Sequence, residues 1–161
     1  MKDTGKPSPP EGKSLVRNRK AAHDYVLFER FEAGIELQGT EVKSLRAGRG
    51  ELKDAYAIVK GGEVFLLNCH IAPWTHSAYG NHDPERTRRL LLHKAQIRKI
   101  AGNLEQKGLT LIPTRIYTSA RKIKIEIALA RGKTLYDKRE TERRRTADRE
   151  ARQAIRERSG R

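Results

Sequence analysis

The eight residues KIKIEIAL at positions 122–129 constrain the fold of this chain more than any other segment. Ile123, Ile125, Ile127 and Leu129 alternate with Lys122, Lys124, Glu126 and Ala128, and a period of two belongs to a strand with one face on a core and the other in water. Such a strand needs neighbours. Segments 24–31, 35–40, 55–60, 63–70 and 109–117 are rich in aromatic and branched residues and supply them, giving about six strands. Gly61-Gly62 between AYAIVK and EVFLLN suits a tight hairpin, because both residues accept positive φ. Pro113 cannot donate to a ladder and is expected at an edge or a bulge. Helical spacing appears at 94–107, where Ile97, Ile100, Ala101 and Leu104 fall on one face and Gly108 follows as a C-cap. A short helix is expected over 41–47 before Gly48, and Asp83-Pro84 has the form of a helix start. Strands with few helices and no alternating βα rhythm predict a mainly β chain, an antiparallel β-barrel with small helices at its ends.

Charge divides the 161 residues into three parts. Residues 1–20 carry 6 basic and 2 acidic side chains, three prolines and little to bury, and are expected to form a flexible arm. Residues 21–130 hold nearly all the large apolar side chains and form the expected domain. Residues 131–161 carry 12 basic and 6 acidic side chains, with Leu135, Tyr136 and Ile155 as the only large apolar ones. In this tail Glu140 precedes Arg144, and Asp148 precedes Arg152, by one turn. Ala147, Ala151 and Ile155 form a thin apolar stripe. The expectation is a basic tail disordered when free and helical when bound to RNA.

A formal net charge of +15, from 35 Lys and Arg against 20 Asp and Glu, points to a polyanion partner. Apolar runs such as 90–92 and 127–130 are far shorter than the roughly 20 residues a membrane span requires, and the first residues lack an apolar signal segment. One cysteine, Cys69, permits no internal disulfide. These features lead to the expectation of a cytoplasmic protein, monomeric when free. Cys69, His70, His76 and His82 match no zinc spacing, so neither a metal nor another cofactor is expected. The chain lacks a phosphate-binding glycine loop, a nucleophile elbow and an acidic metal cluster. A binder is therefore favoured over an enzyme, the rivals being a ribosomal or initiation-factor-like protein and a small ribonuclease. Lys43, Arg46 and Arg49, then Arg86, Arg88, Arg89 and Lys94, form two basic clusters suited to phosphates. Tyr25, Trp74 and Tyr79 could stack on unpaired bases.

The blocks NRKAAHDY (18–25), FEAGIELQGTEVKSLRAGR (31–49), LKDAYAIVKGGEVFLLNCHIAP (52–73), NHDPERTRRLLLHK (81–94), KGLTLIPTRIY (107–117), KIEIALARGK (124–133) and YDKRE (136–140) resemble the SmpB family of SsrA-binding proteins. That resemblance implies an OB-type barrel, binding to transfer-messenger RNA and to the ribosome, and rescue of stalled ribosomes by trans-translation without catalytic turnover. It carries an RNA-binding role onto Glu32, Leu91 and His93, and marks His23 as a family hallmark. It further implies a role in the ribosome's decoding region for Gly132, Lys133, Tyr136, Asp137, Lys138 and Arg139, with Gly132 as pivot. Tyr136 stands where other members carry His, which keeps a ring there and drops any proton-dependent role.

Overall fold

The computed structural model describes residues 12–78 and 80–160. Residues 1–11 of the expected arm, and Tyr79, lie outside the described residues. The elements are β1 (Ser14–Arg17), α1 (Arg19–Asp24), β2 (Tyr25–Ile35), α2 (Gly39–Arg46), β3 (Gly50–Glu51), β4 (Tyr56–Lys60), β5 (Glu63–Leu67), β6 (His70–Ile71), β7 (Arg88–Leu91), α3 (Lys94–Lys107), β8 (Thr110–Ser119), β9 (Lys122–Gly132) and α4 (Leu135–Ser159). The main sheet is antiparallel in the order β1-β8-β4-β5-β7-β2-β9, and β9 also pairs with β8, so six strands close into a ring.

Strand β9 closes it by pairing with β2 on one side and β8 on the other. Ile125, Ile127 and Leu129 are buried in a common core with Phe31, Ala33, Val64, Leu66, Leu90, Leu111 and Ile116. Lys122 is exposed, and Lys124 and Glu126 are half-buried. Ala128 and Ala130 are buried as well. Ala130 packs with Ala21 of α1, Ile112, Tyr25 and Leu27, so this end of the sheet is covered on both faces. Burying the core side chains gains about 1.5–3 kcal/mol apiece. Helix α3 adds buried Ile100 and half-buried Ile97 and Leu104, and ends on Gly108 at φ 58°. The β4–β5 hairpin turns on Gly61 and Gly62, at φ 59° and 74°. Pro113 sits at the register break between β8 and β9, where its carbonyl accepts from Asn18 Nδ2 at 2.8 Å. Asn18 Oδ1 also caps α1 by accepting from the Ala21 amide at 3.1 Å.

Three expectations need correction. The domain begins before residue 21: β1 pairs with β8, burying Val16, and its neighbour Asn18 bolts α1 to the sheet. It ends at Gly132, whose rung with Tyr25 completes β2–β9. Residues 35–40 do not form a strand, because α2 starts at Gly39 and Glu41 reaches back to accept from the Gln38 amide at 2.9 Å. Asp83-Pro84 makes a turn, with Asp83 Oδ1 accepting from the Glu85 amide, and no helix follows. The tail is a continuous 25-residue helix, α4, none of whose residues is buried. The helix uses local chemistry: Thr134 and Asp137 cap each other reciprocally, and Arg144 pairs with Glu140 at 3.1 Å.

Candidate RNA-binding surface

Strand alternation sorts the basic clusters into buried and exposed members. In β7 the burial runs in, out, in, out, so Arg88 and Leu90 face the core while Arg89 and Leu91 face outward. Arg88 is fully buried: Nε donates to Glu41 Oε2 and Nη1 donates to the Cys69 carbonyl at 2.7 Å. The expected phosphate contact at Arg88 is thereby corrected to a structural one. Arg86 Nη2 joins it, 2.6 Å from Glu41 Oε1. Burial pushes the Glu41 carboxyl up, but hydrogen bonds from Arg86, the Gln38 amide and Arg88 outweigh it and hold it below its ordinary value. Cys69, buried beside this pair, is pushed up to about 11 by burial and remains a thiol.

Glu32 and Leu91 come together on the outer face. Gly34 pairs with Leu91 across β2 and β7, two residues along from Glu32. A Cβ at Gly34 would lie 3.3 Å from Leu91 Cβ, so glycine gives the leucine its seat. Leu91 is left 48% exposed, an unusual place for a large apolar side chain in a charged surface. His93 is exposed at the N-cap of α3, its amide donating to Gln96 Oε1 at 3.2 Å. Beside Leu91 and Gly34 opens a cleft of about 390 Å³ rimmed by Arg46, Arg121, Lys122 and Lys124. Arg46 Nη2 donates to the Arg121 carbonyl at 3.2 Å. Of this rim, sequence reasoning singled out Arg46 alone. The sequence carried no turn signal there, since Ala120 and Arg121 form the two-residue turn between paired Ser119 and Lys122 at φ 48° and 67°, a conformation few side chains accept.

The other expected residues scatter around this face. Lys43, Arg49 and Lys94 are exposed, whereas Arg89 is engaged by Glu36 at 3.1 Å and Glu63 at 2.9 Å. Trp74 is half-buried, edge-on to His76 at 5.7 Å, with its backbone held by Asn81. Tyr25 belongs to the packing around Ala21. A second cleft of about 620 Å³, between α1, β2 and β8, is lined by Arg17, Arg19, Arg30 and Arg115. Arg17 and Arg19 are near neighbours, but Arg30 and Arg115 come from separated parts of the chain, which is why no cluster of four was visible in sequence.

At the opposite end of β2, His23 bridges the body and the tail. Its ring nitrogens lie 2.8 Å from Asp24 Oδ1 and 2.9 Å from Glu142 Oε1. Two carboxylates favour its charged form, the bond to Asp24 first and that to Glu142 second, so its pKa rises above the usual histidine value. Asp24 is correspondingly held down, chiefly by His23 and then by the Lys138 charge 3.6 Å away, against an opposing burial effect. Lys133 Nζ donates to the Ala22 carbonyl at 3.0 Å and to Thr141 Oγ1 at 2.7 Å. Asp137 caps α4, Arg139 is exposed, and Tyr136 is 73% exposed. A Cβ added at Gly132 would meet nothing within 4 Å, so no close packing requires its smallness.

The family model described as SmpB protein matches residues 15–157. An SsrA-binding protein of Syntrophobacter fumaroxidans is 56% identical over 146 residues, covering 90% of this chain and 91% of the relative. One from Koribacter versatilis is 55% identical over 138 residues, 86% and 79% of the two chains. A solved structure described as "tmRNA-SmpB: a journey to the center of the bacterial ribosome" matches with TM-score 0.63 at 50% identity, covering 74% of this chain and 84% of that one.

Proposed function

This chain belongs to the SmpB family, and we propose that it binds transfer-messenger RNA through the outer face of β2 and β7 and presents α4 to the ribosome. It binds transfer-messenger RNA and delivers it to the ribosome in trans-translation. The single observation that carries this is identity above half to SsrA-binding proteins along nine-tenths of the chain.

The finer reading is ours. The closed ring of strands is an OB-type barrel, and it acts as a clamp by binding, without turnover, in the cytoplasm. Glu32, Leu91 and His93 read base and ribose edges of the tRNA-like part of the RNA, while Lys43, Arg46, Arg49 and Lys94 neutralise its phosphates. Leu91 suits an unpaired base or ribose face, because water gains nothing by solvating it. Lys133, Tyr136, Lys138 and Arg139 lie at the root of α4 and enter the decoding region, with Gly132 as the point where sheet gives way to helix.

The isolated protein should hold the tRNA-like part of transfer-messenger RNA in preference to other RNA of equal length. Its affinity should fall with salt along a log-log slope of about −0.7 to −0.9 per phosphate contacted. Filter retention across a salt series measures both. Equal retention of every RNA would support the rival reading of a constitutive ribosomal protein.

A further inference from the structure

Glu32 and Glu126 are directly opposed across β2 and β9, and like charges in that relation repel. The nearby donors are divided between them. Glu126 takes Arg30 Nη1 at 2.9 Å and the Thr114 hydroxyl at 2.8 Å. Glu32 takes the hydroxyl of Tyr117. Tyr117 is fully buried, paired with Lys124 in the β8–β9 ladder, and the Arg115 guanidinium covers its ring at 4.6 Å from the centroid. The phenol is therefore rigid and aimed at the Glu32 carboxylate. Burial first, and the bond to Glu32 second, drive its pKa upward, which favours the phenol as a donor.

Glu32 itself is exposed. An ionised carboxylate is an acceptor only, with about four lone-pair sites, and one is committed to Tyr117. Others on this exposed group can accept N–H or 2′-OH donors, the groups by which an RNA can use an acid in a basic surface. We propose that Tyr117 is a positioning residue that fixes the Glu32 carboxylate in the orientation that meets base or ribose donors of the bound RNA. Released from the phenol, the carboxylate turns away from the like charge of Glu126, and its lone pairs no longer point at the RNA. This inference rests on the reading of Glu32 as an RNA contact.

The test uses the full chain with the tRNA-like part of transfer-messenger RNA at fixed salt, comparing Tyr117→Phe, Glu32→Ala and the double variant. Tyr117→Phe should weaken binding about three- to tenfold, and the loss should vanish when Glu32 is already alanine. Because no phosphate contact is removed, the salt slope should stay unchanged, which a general loosening of the surface would not allow. Should Tyr117→Phe unfold, Glu32→Asp retains the charge but is one methylene too short to reach the phenol, and it should lose affinity to the same degree. Glu32→Ala weakened beside an unaffected Tyr117→Phe or Glu32→Asp overturns the positioning role. A Glu32→Ala variant that binds normally overturns the Glu32 reading itself, and the inference with it.

Discussion

Arg88 and Leu91 exchange the places that hydrophobicity alone would give them, and both exchanges have a reason. Arg88 gains the core because Glu41, the Cys69 carbonyl and the Pro84 carbonyl together satisfy its guanidinium. Removing one partner of such a pair leaves the other charge buried alone. Arg88→Ala should therefore cost about 3–5 kcal/mol in chemical denaturation. A variant that keeps its stability but loses RNA affinity would mean that Arg88 faces the RNA after all. The run RRLL carries no period-two pattern, so β7 is not legible as a strand in sequence, and its alternation of buried and exposed side chains is visible only in the structure. Which face is inward depends on Glu41, 47 residues away. His82 shows the same limit: its Nε2 lies 2.9 Å from the Ile71 carbonyl and its Nδ1 lies 2.8 Å from Thr40, a buried linkage between loop and helix.

Elements with a long period were legible, and elements defined by a single distant contact were not. β9 and α3 carry their pattern over several turns or rungs, and α3 falls on 94–107 as its spacing predicts. β1, by contrast, is four residues whose strand state depends on β8, about a hundred positions away. α4 was legible as a helix from its i,i+4 charges, but its docking through His23 and Lys133 was not. That docking has a defined pH sign. A pKa raised above 6.5 in the docked state means the His23 contribution is fully present below that value and is lost as pH rises through the raised one. A magnetic-resonance titration of the His23 ring should give a midpoint above 6.5 that falls part of the way back in Glu142→Gln. An unchanged midpoint would show that α4 is not held by this contact.

At the scale of the whole molecule, two basic clefts open along β2, one rimmed by Arg46, Arg121, Lys122 and Lys124 and the other lined by Arg17, Arg19, Arg30 and Arg115. The net charge of +15 announced a polyanion partner, and the fold gathers part of that charge along one strand. Residues 131–161 add 12 basic side chains, and α4 buries none of its own. Ring closure finishes at Gly132, before α4 begins, so the body and the tail are separable. In the function proposed above, RNA capture falls to the body and action in the ribosome to the tail. The measurement that bears on this most directly is peptide tagging in a reconstituted translation system programmed with a message lacking a stop codon. The full chain should support tagging. A chain ending at Gly132, or one with Asp137, Lys138 and Arg139 all replaced by alanine, should retain transfer-messenger RNA yet leave the stalled peptide untagged. Tagging at the full rate by the shortened chain would contradict this division and leave α4 as a basic appendage without a part in rescue.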